Sequence, residues 1–230
     1  MAARQIALFS SKPVADLPVG HIEKEALAAG YRWVLGVDEA GRGPLAGPVT
    51  TGAVLLDLHA LDWCDGITDS KKLSATAREA LCDVILQTAP HAVFDHVSVE
   101  EVDRRNVLGA SLWGMRACAL KVIASTQLSK EKFLVVVDGK QILPDFAHPQ
   151  QAIVKGDARS LAVASASILA KVQRDAWMMA LHDEFPMYGF DKHKGYPTKM
   201  HLEALRIHGA CAHHRKSFAP VAATFEAQNR

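Results

Sequence analysis

An α/β fold built on a mixed sheet is the architecture this sequence predicts, and three observations carry it. Two apolar stretches near residues 33–37 and 49–56 face each other across a Gly/Pro-rich turn. Residues 133–137, Phe-Leu-Val-Val-Val, form an unbroken apolar run. Helical periodicity marks the segments between and after these strands. Strands first, then strands alternating with helices, is the order expected of a sheet with helices packed on it.

Each element follows in turn. Residues 1–20 mix Ala, Ser, Pro and Gly without sustained periodicity and are expected to be a flexible extension. His21 to Ala29 suits a short helix stopped by Gly30. Trp33 to Val37 and the β-branched Val49 to Leu56 are predicted to pair antiparallel. Leu81, Val84, Ile85 and Leu86 fall at helical spacing within Ala75 to Gln87, and Ala92 to Val99 returns to alternation. A second helix is expected over Val107 to Ser125. The run Phe133 to Val137 reads as a strand buried on both faces. Ala152 to Lys155 is predicted as a short strand and Ala158 to His182 as a long helix. Its small residues Ala162, Ala164, Ser165, Ala166 and Ser167 would let it approach the sheet closely. A last helix is expected near Lys199 to His208, inside a tail rich in His, Lys, Gly and Pro, so that a small helical and loop region closes the chain.

Composition narrows the function. Twenty-six Lys and Arg against 25 Asp and Glu leave a formal charge of +1, so a polyanion would need a local basic surface and not a bulk field. Cys64, Cys82, Cys118 and Cys211 lie far apart with no Cys-x-x-Cys pair, which gives neither zinc spacing nor a redox motif. They read as free thiols of a reducing compartment. Leu161 to Ala170, the longest apolar run, is about half of a membrane span. Ile6 to Phe9 is too short for a signal-peptide core. The expectation is a cytoplasmic protein with no membrane partner.

Four carboxylates stand where chain geometry could gather them. Asp38 and Glu39 end the first strand, Asp138 ends the buried strand, and Asp157 opens the long helix. Strand ends of an α/β sheet form the usual ligand crevice. Singly, each acid has a plain alternative: a solvated strand end for Asp38 and Asp138, a helix N-cap for Asp157. Together they would repel one another unless a hard dication neutralised them, and an all-oxygen site suits Mg2+ or Mn2+.

After Asp38 comes Glu-Ala-Gly-Arg-Gly-Pro-Leu-Ala-Gly-Pro, with Gly41, Gly43 and Gly47 close together. Such a loop either is a wide turn or brings backbone groups against a phosphate or sugar, and Arg42 favours an anionic ligand. Asp69-Ser70-Lys71-Lys72 precedes a helix, where it could hold a phosphate or simply cap. Tyr196 lies in the basic loop Lys192 to Pro197, as a stacking ring or as a buried loop anchor. His213 to Ser217 adds a basic cluster that is weak as a metal site, since adjacent residues seldom point at one ion.

Assembled, these residues resemble the bacterial type 2 ribonuclease H family, ribonuclease HII. The resemblance rests on Gly36 to Val49, Asp69 to Leu73, Val137-Asp138-Gly139, Lys155-Gly156-Asp157, Ala166 to Val172, Lys192 to Tyr196 and His214 to Pro220, in the family's order. It implies a ribonuclease H-like fold over residues 31–225, including a C-terminal substrate-binding segment, with residues 1–30 as an N-terminal extension. It also implies metal binding and catalysis by Asp38, Glu39, Asp138 and Asp157, with Mn2+ or Mg2+ as cofactor. Gly41, Arg42 and Gly43 would feel the ribose 2′-hydroxyl, and Tyr196 would meet the sugar at the RNA-to-DNA junction. Ser70, Lys71 and Ser217 are counted with them as substrate-binding. The implied substrates are RNA:DNA hybrid and duplex DNA containing single ribonucleotides, acted on by a monomer. Lys140, Ala158 and Met200 depart from the family's common residues without removing an acid. A small-molecule phosphatase or DNA-only nuclease would not explain the sugar-reading loop and the ring. A non-cleaving hybrid-binding module would not need all four acids.

Overall fold

The computed structural model describes residues 19–126, 128 and 132–228. The expected extension falls on residues 1–20, of which 1–18 lie outside the described residues. Five strands form one sheet: β1 (Trp33–Ala40), β2 (Val49–Asp57), β3 (His91–Val97), β4 (Phe133–Asp138) and β5 (Gln150–Ile153), in the order β3-β2-β1-β4-β5. β1 pairs antiparallel with β2 and parallel with β4, β2 pairs antiparallel with β3, and β4 pairs parallel with β5. The sheet is therefore mixed, and its helices are α1 (His21–Ala28), α2 (Ala75–Thr88), α3 (Val99–Ser125), α4 (Leu161–Glu184), α5 (Phe190–His193), α6 (Lys199–His208) and α7 (Ala219–Gln228).

Alternation along the strands sorts side chains into two cores. Val34, Val54, Leu134 and Val136 face α4, α1 and α2, whereas Leu35, Val37, Val135 and Val137 face α3. The small residues of α4 bring its backbone onto the sheet. A Cβ on Gly36 would collide with the Ala162 carbonyl, and one on Gly52 would lie 2.6 Å from the Ala166 oxygen. This contact fixes α4 over β1 and β2, and so sets where Ser167 stands relative to Asp38.

Three boundaries differ from the sequence expectation. α3 begins at Val99, capped by Ser98, and kinks at Asn106 (φ 58°). The Asn106 side-chain oxygen accepts the N–H groups of Leu108 and Gly109, both at 3.0 Å, and restarts the helix where periodicity had placed its beginning. The first segment escaped notice because Asp103-Arg104-Arg105 hides any apolar face. Asp157 does not open α4. It sits in a separate 3-10 turn, Gly156–Ala158, and Ser160 is the cap, accepting from the Val163 N–H at 3.2 Å. β5 starts two residues before the expected Ala152 and stops before Lys155, whose left-handed φ of 55° ends the extended backbone.

α3 is long and apolar enough to cross a bilayer, but Met115, Cys118, Ala119 and Val122 are buried against the sheet. Packing accounts for its composition.

Beyond the sheet, the end of α4 with α5, α6 and α7 encloses a small third core that includes Leu45, Met178, Tyr188, Phe190, Leu205 and Val221. It attaches to the glycine-rich loop through an antiparallel bridge between Ala46 and His214.

Candidate active site

Strand register gathers the acids. β1 and β4 are parallel with Val37 opposite Val137, so Asp38 and Asp138 come next on adjacent strands, at the same end and on the α4 face. Glu39 points to the other face, towards α3. Asp157 returns to the same end through the turn after β5, where the Gly156 N–H donates to Asp138 Oδ1 at 2.7 Å. Gly156 is tight there: a Cβ would lie 3.2 Å from that oxygen.

Two adjoining clefts, of about 370 and 420 Å³, meet at Glu39, Arg42, Lys71 and Asp138. The first is lined by Asp38, Gly41, Gly43, Ser70, Ser167 and Tyr196, and the second by Asp157, Lys140, Lys155 and the apolar side of α3.

The electrostatics are those of crowded, dehydrated acids. Burial raises the Asp38 carboxyl well above the ordinary range, and the charges of Asp138 and Glu39 push it the same way against hydrogen bonds from Ser167 and the Glu39 N–H. Glu39 is raised chiefly by burial, against Arg42, whose guanidinium lies 3.3 Å from Oε1. Asp138 is raised by burial too, against the Gly156 N–H, with Asp157 adding to the rise. Lys71 Nζ sits 2.7 Å from Asp157 Oδ2. Burial works to lower its pKa, but the bond and charge of Asp157 prevail and hold it above the ordinary lysine value. Lys71 thus acts as the resident cation of the cluster. Among the described residues no three carboxylates are already closed into a single-ion cage. The donor set fits a hard dication all the same: all ligands are oxygen, mutual repulsion is uncompensated apart from Lys71 and Arg42, and the cleft is open.

Each predicted recognition residue has a definite place. Gly41 adopts φ 94°, and a Cβ there would run into the Arg174 side chain. Gly43 packs beside the Tyr196 ring, which is 43% exposed and so is no buried anchor. Ser70 is buried, its hydroxyl 3.0 Å from that of Ser167. The cap of α2 is Ser74, while Asp69 caps only the short turn Ser70–Lys72. Ser217 is not brought to the clefts; its N–H and hydroxyl both go to Asp103 Oδ1, at 3.0 and 2.5 Å.

Two arginines that sequence reasoning missed hold the glycine-rich loop and the Tyr196 loop. Arg215, seen in sequence as part of a surface basic cluster, is fully buried. It donates to the carbonyls of Gly41 (2.6 Å), Arg42 (3.0 Å) and Gly47 (2.8 Å). Arg174, buried on α4, donates to Pro48 (3.0 Å), Ala46 (3.1 Å) and Lys194 (3.0 Å), tying the glycine-rich loop to the Tyr196 loop. Burial lowers their pKa values to about 9 and about 10. The signal available in sequence was a lone Arg in the helical stretch after Lys171-Val172-Gln173, with nothing to say that it faced inward. With the Gly41 and Arg42 carbonyls taken by Arg215, no protein carbonyl among the described residues accepts the N–H of Gly41, Arg42 or Gly43. All three residues line the first cleft.

A mixed sheet in this order, with acids at the ends of its central parallel strands and helices on both faces, is a ribonuclease H-like fold. Ribonuclease H2 from Pyrococcus horikoshii has the same fold (TM-score 0.66, 24% identity, 86% of this chain and 99% of that one). So does Bst ribonuclease HIII in complex with Mn2+ (TM-score 0.66, 19% identity, 89% and 74%). The family profile described as Ribonuclease HII matches residues 35–221. A ribonuclease HII of Delftia acidovorans is 53% identical over 189 residues, 82% of this chain and 77% of its own length. The chain belongs to the ribonuclease HII family and is a ribonuclease H.

Proposed function

We infer that the enzyme hydrolyses the RNA strand of RNA:DNA hybrids and also cuts on the 5′ side of ribonucleotides embedded in duplex DNA, leaving 3′-hydroxyl and 5′-phosphate ends. The observation that carries this reading is the convergence of Asp38, Glu39, Asp138 and Asp157 beside a loop that offers free N–H donors and an exposed tyrosine ring. Backbone donors at Gly41 to Gly43 suit a 2′-hydroxyl, the group that distinguishes RNA from DNA. The Tyr196 ring against Gly43 suits stacking on the neighbouring sugar. Ser70 and Lys71, at the rim of the acids, suit the adjoining phosphate.

The four carboxylates would hold Mg2+ or Mn2+, which when bound supplies activation of water and neutralisation of the departing 3′-oxygen. The ribonuclease HIII structure with Mn2+ supports this choice of ion. Asp138, fixed by the Gly156 N–H, and Asp38, fixed by its neighbour's N–H at 2.7 Å, are oriented before any ligand arrives, which is the preorganisation such chemistry needs. The 2′-hydroxyl is read and not used as the nucleophile, so a cyclic phosphate is not formed. The enzyme is assigned to the cytoplasm, where its unpaired cysteines stay reduced.

The test is one incubation series: a labelled duplex with a single ribonucleotide, a uniform hybrid and an all-DNA duplex, each with Mg2+, Mn2+ or chelator. Cleavage of the first two with 3′-hydroxyl ends and an intact all-DNA duplex is expected. A cyclic phosphate end, or activity in chelator, would overturn the mechanism.

A further inference from the structure

Three histidines lie in the C-terminal core and outside the acid cluster. His193, His201 and His214 are 7%, 0% and 1% exposed. The His193 and His201 rings stack with centroids 4.5 Å apart, Phe190 lies edge-on to His201, and Tyr188 lies edge-on to His214.

Their hydrogen bonds admit one consistent proton arrangement. The Cys211 N–H points at His214 Nδ1 at 3.0 Å, with the Cys211 thiol 3.1 Å from the same nitrogen, so Nδ1 is an acceptor and the proton of His214 is on Nε2. That nitrogen lies 3.1 Å from His201 Nε2, which must then accept. The proton of His201 is left on Nδ1, 3.0 Å from the Tyr196 carbonyl, to which it donates. His193 completes the clasp one residue before Tyr196, at Gly195. Its Nδ1 accepts the Gly195 N–H at 3.2 Å and its Nε2 donates to the Tyr188 carbonyl at 2.8 Å.

An extra proton on His201 or His214 would set two N–H groups against each other. Burial pushes both rings down to about 4, so they stay neutral. Three dehydrated imidazoles pack no better than leucine or phenylalanine would. What they add is direction, as satisfied buried polar networks do. The chain of bonds ends on the backbone of the residue whose ring stands in the cleft.

We propose that His214 and His201 form a hydrogen-bond relay that, with His193, positions Tyr196 for substrate recognition. The three are positioning residues and do not touch the reacting atoms. The proposal rests on the reading that Tyr196 meets the sugar at the ribonucleotide.

Two measurements test it separately. In the wild-type protein labelled with 15N-histidine, NMR should give His201 as the Nδ1–H tautomer, His214 as the Nε2–H tautomer, and a scalar coupling across the N–H···N bond between them. The opposite tautomers, or no coupling, overturn the relay whatever Tyr196 does. The second measurement is a double-variant cycle on a duplex with one ribonucleotide. His201→Leu should raise KM about tenfold while kcat changes about twofold or less. His201→Asn, which keeps an amide donor near the Nδ1 position, should recover most of the loss. In a Tyr196→Ala background, His201→Leu should add nothing further, because its effect passes through the ring. Fully additive losses, or wild-type KM in His201→Leu, overturn the positioning role. An intact relay together with Tyr196→Ala as active as wild type would show that the sugar-stacking reading failed, and the positioning role with it.

Discussion

The four acids owe their convergence to strand register, whereas the glycine-rich loop and Tyr196 beside them are held by buried polar side chains drawn from distant parts of the chain. Asp38 and Asp138 need only that β1 and β4 run parallel with Val37 opposite Val137. Gly41 to Gly47 and Lys194 to Tyr196 need Arg174, Arg215 and the histidines, each satisfied by several bonds at once. The acids are thus placed by repeating backbone geometry, and the loops beside them by a clasp in which each member depends on the others.

If that division is right, damage to the two regions differs in kind. Asp138→Asn should cut single-turnover cleavage by at least about 100-fold, the order seen when a transition-state contact is lost. Duplex affinity should be nearly unchanged, because phosphate contacts dominate it. Anisotropy and quenched-flow measurements on the same preparation separate the two, and near-wild-type turnover would remove Asp138 from the site. Arg215→Met should instead strike fold and recognition together. It leaves three loop carbonyls without their donor, each worth about 1 to 3 kcal/mol when buried and unsatisfied. A melting temperature like that of wild type would show that the clasp is dispensable.

Metal addition probes the acid end without any substitution. The folded pKa values of Asp38, Glu39 and Asp138 are raised, so the folded state binds protons more tightly than the unfolded chain. Their favourable contribution is complete below the unfolded values and is lost as pH rises through the raised folded ones. In chelator the enzyme should therefore lose stability as pH rises above the ordinary carboxylate range. At a hundredfold excess over Kd, Mg2+ or Mn2+ should restore about 2.7 kcal/mol, roughly 5 to 10 °C in melting temperature. The gain should shrink in acid, and a pH-independent shift would place the ion elsewhere.

Smaller still, Tyr196→Ala should cost about 1 to 3 kcal/mol on a duplex with one ribonucleotide, the usual worth of such stacking, while Tyr196→Phe keeps most activity. Equal losses in both would assign the work to the hydroxyl. Least of all should follow from deleting residues 1–18, whose sequence offers little regular apolar spacing. A scanning calorimetry trace displaced by several degrees would contradict that. The deletion must stop there, since Gly20 donates to the Arg159 carbonyl, and Glu23 of α1 accepts from the Ser160 hydroxyl and the Ala162 N–H at the start of α4.

The legible parts of the molecule are those where local chemistry and tertiary structure agree. Phe133 to Val137 has no polar residue to face water, so a strand covered on both sides was its only economical place. Asp38 and Asp138 were visible because each interrupts an apolar strand. Asp157 was visible as an acid but misplaced, since the 3-10 turn between β5 and α4 leaves no periodic trace. Arg215 was legible only as a charge: nothing in His-His-Arg-Lys-Ser says which side chain turns inward, because that depends on carbonyls of a loop about 170 residues earlier. Sequence by itself determined the strands, the long helices and the acids at their ends, because periodicity and burial are local properties. Only the tertiary structure decided that two arginines and three histidines lie inside, because a buried polar group survives only where its partners already point, and those partners lie far away along the chain.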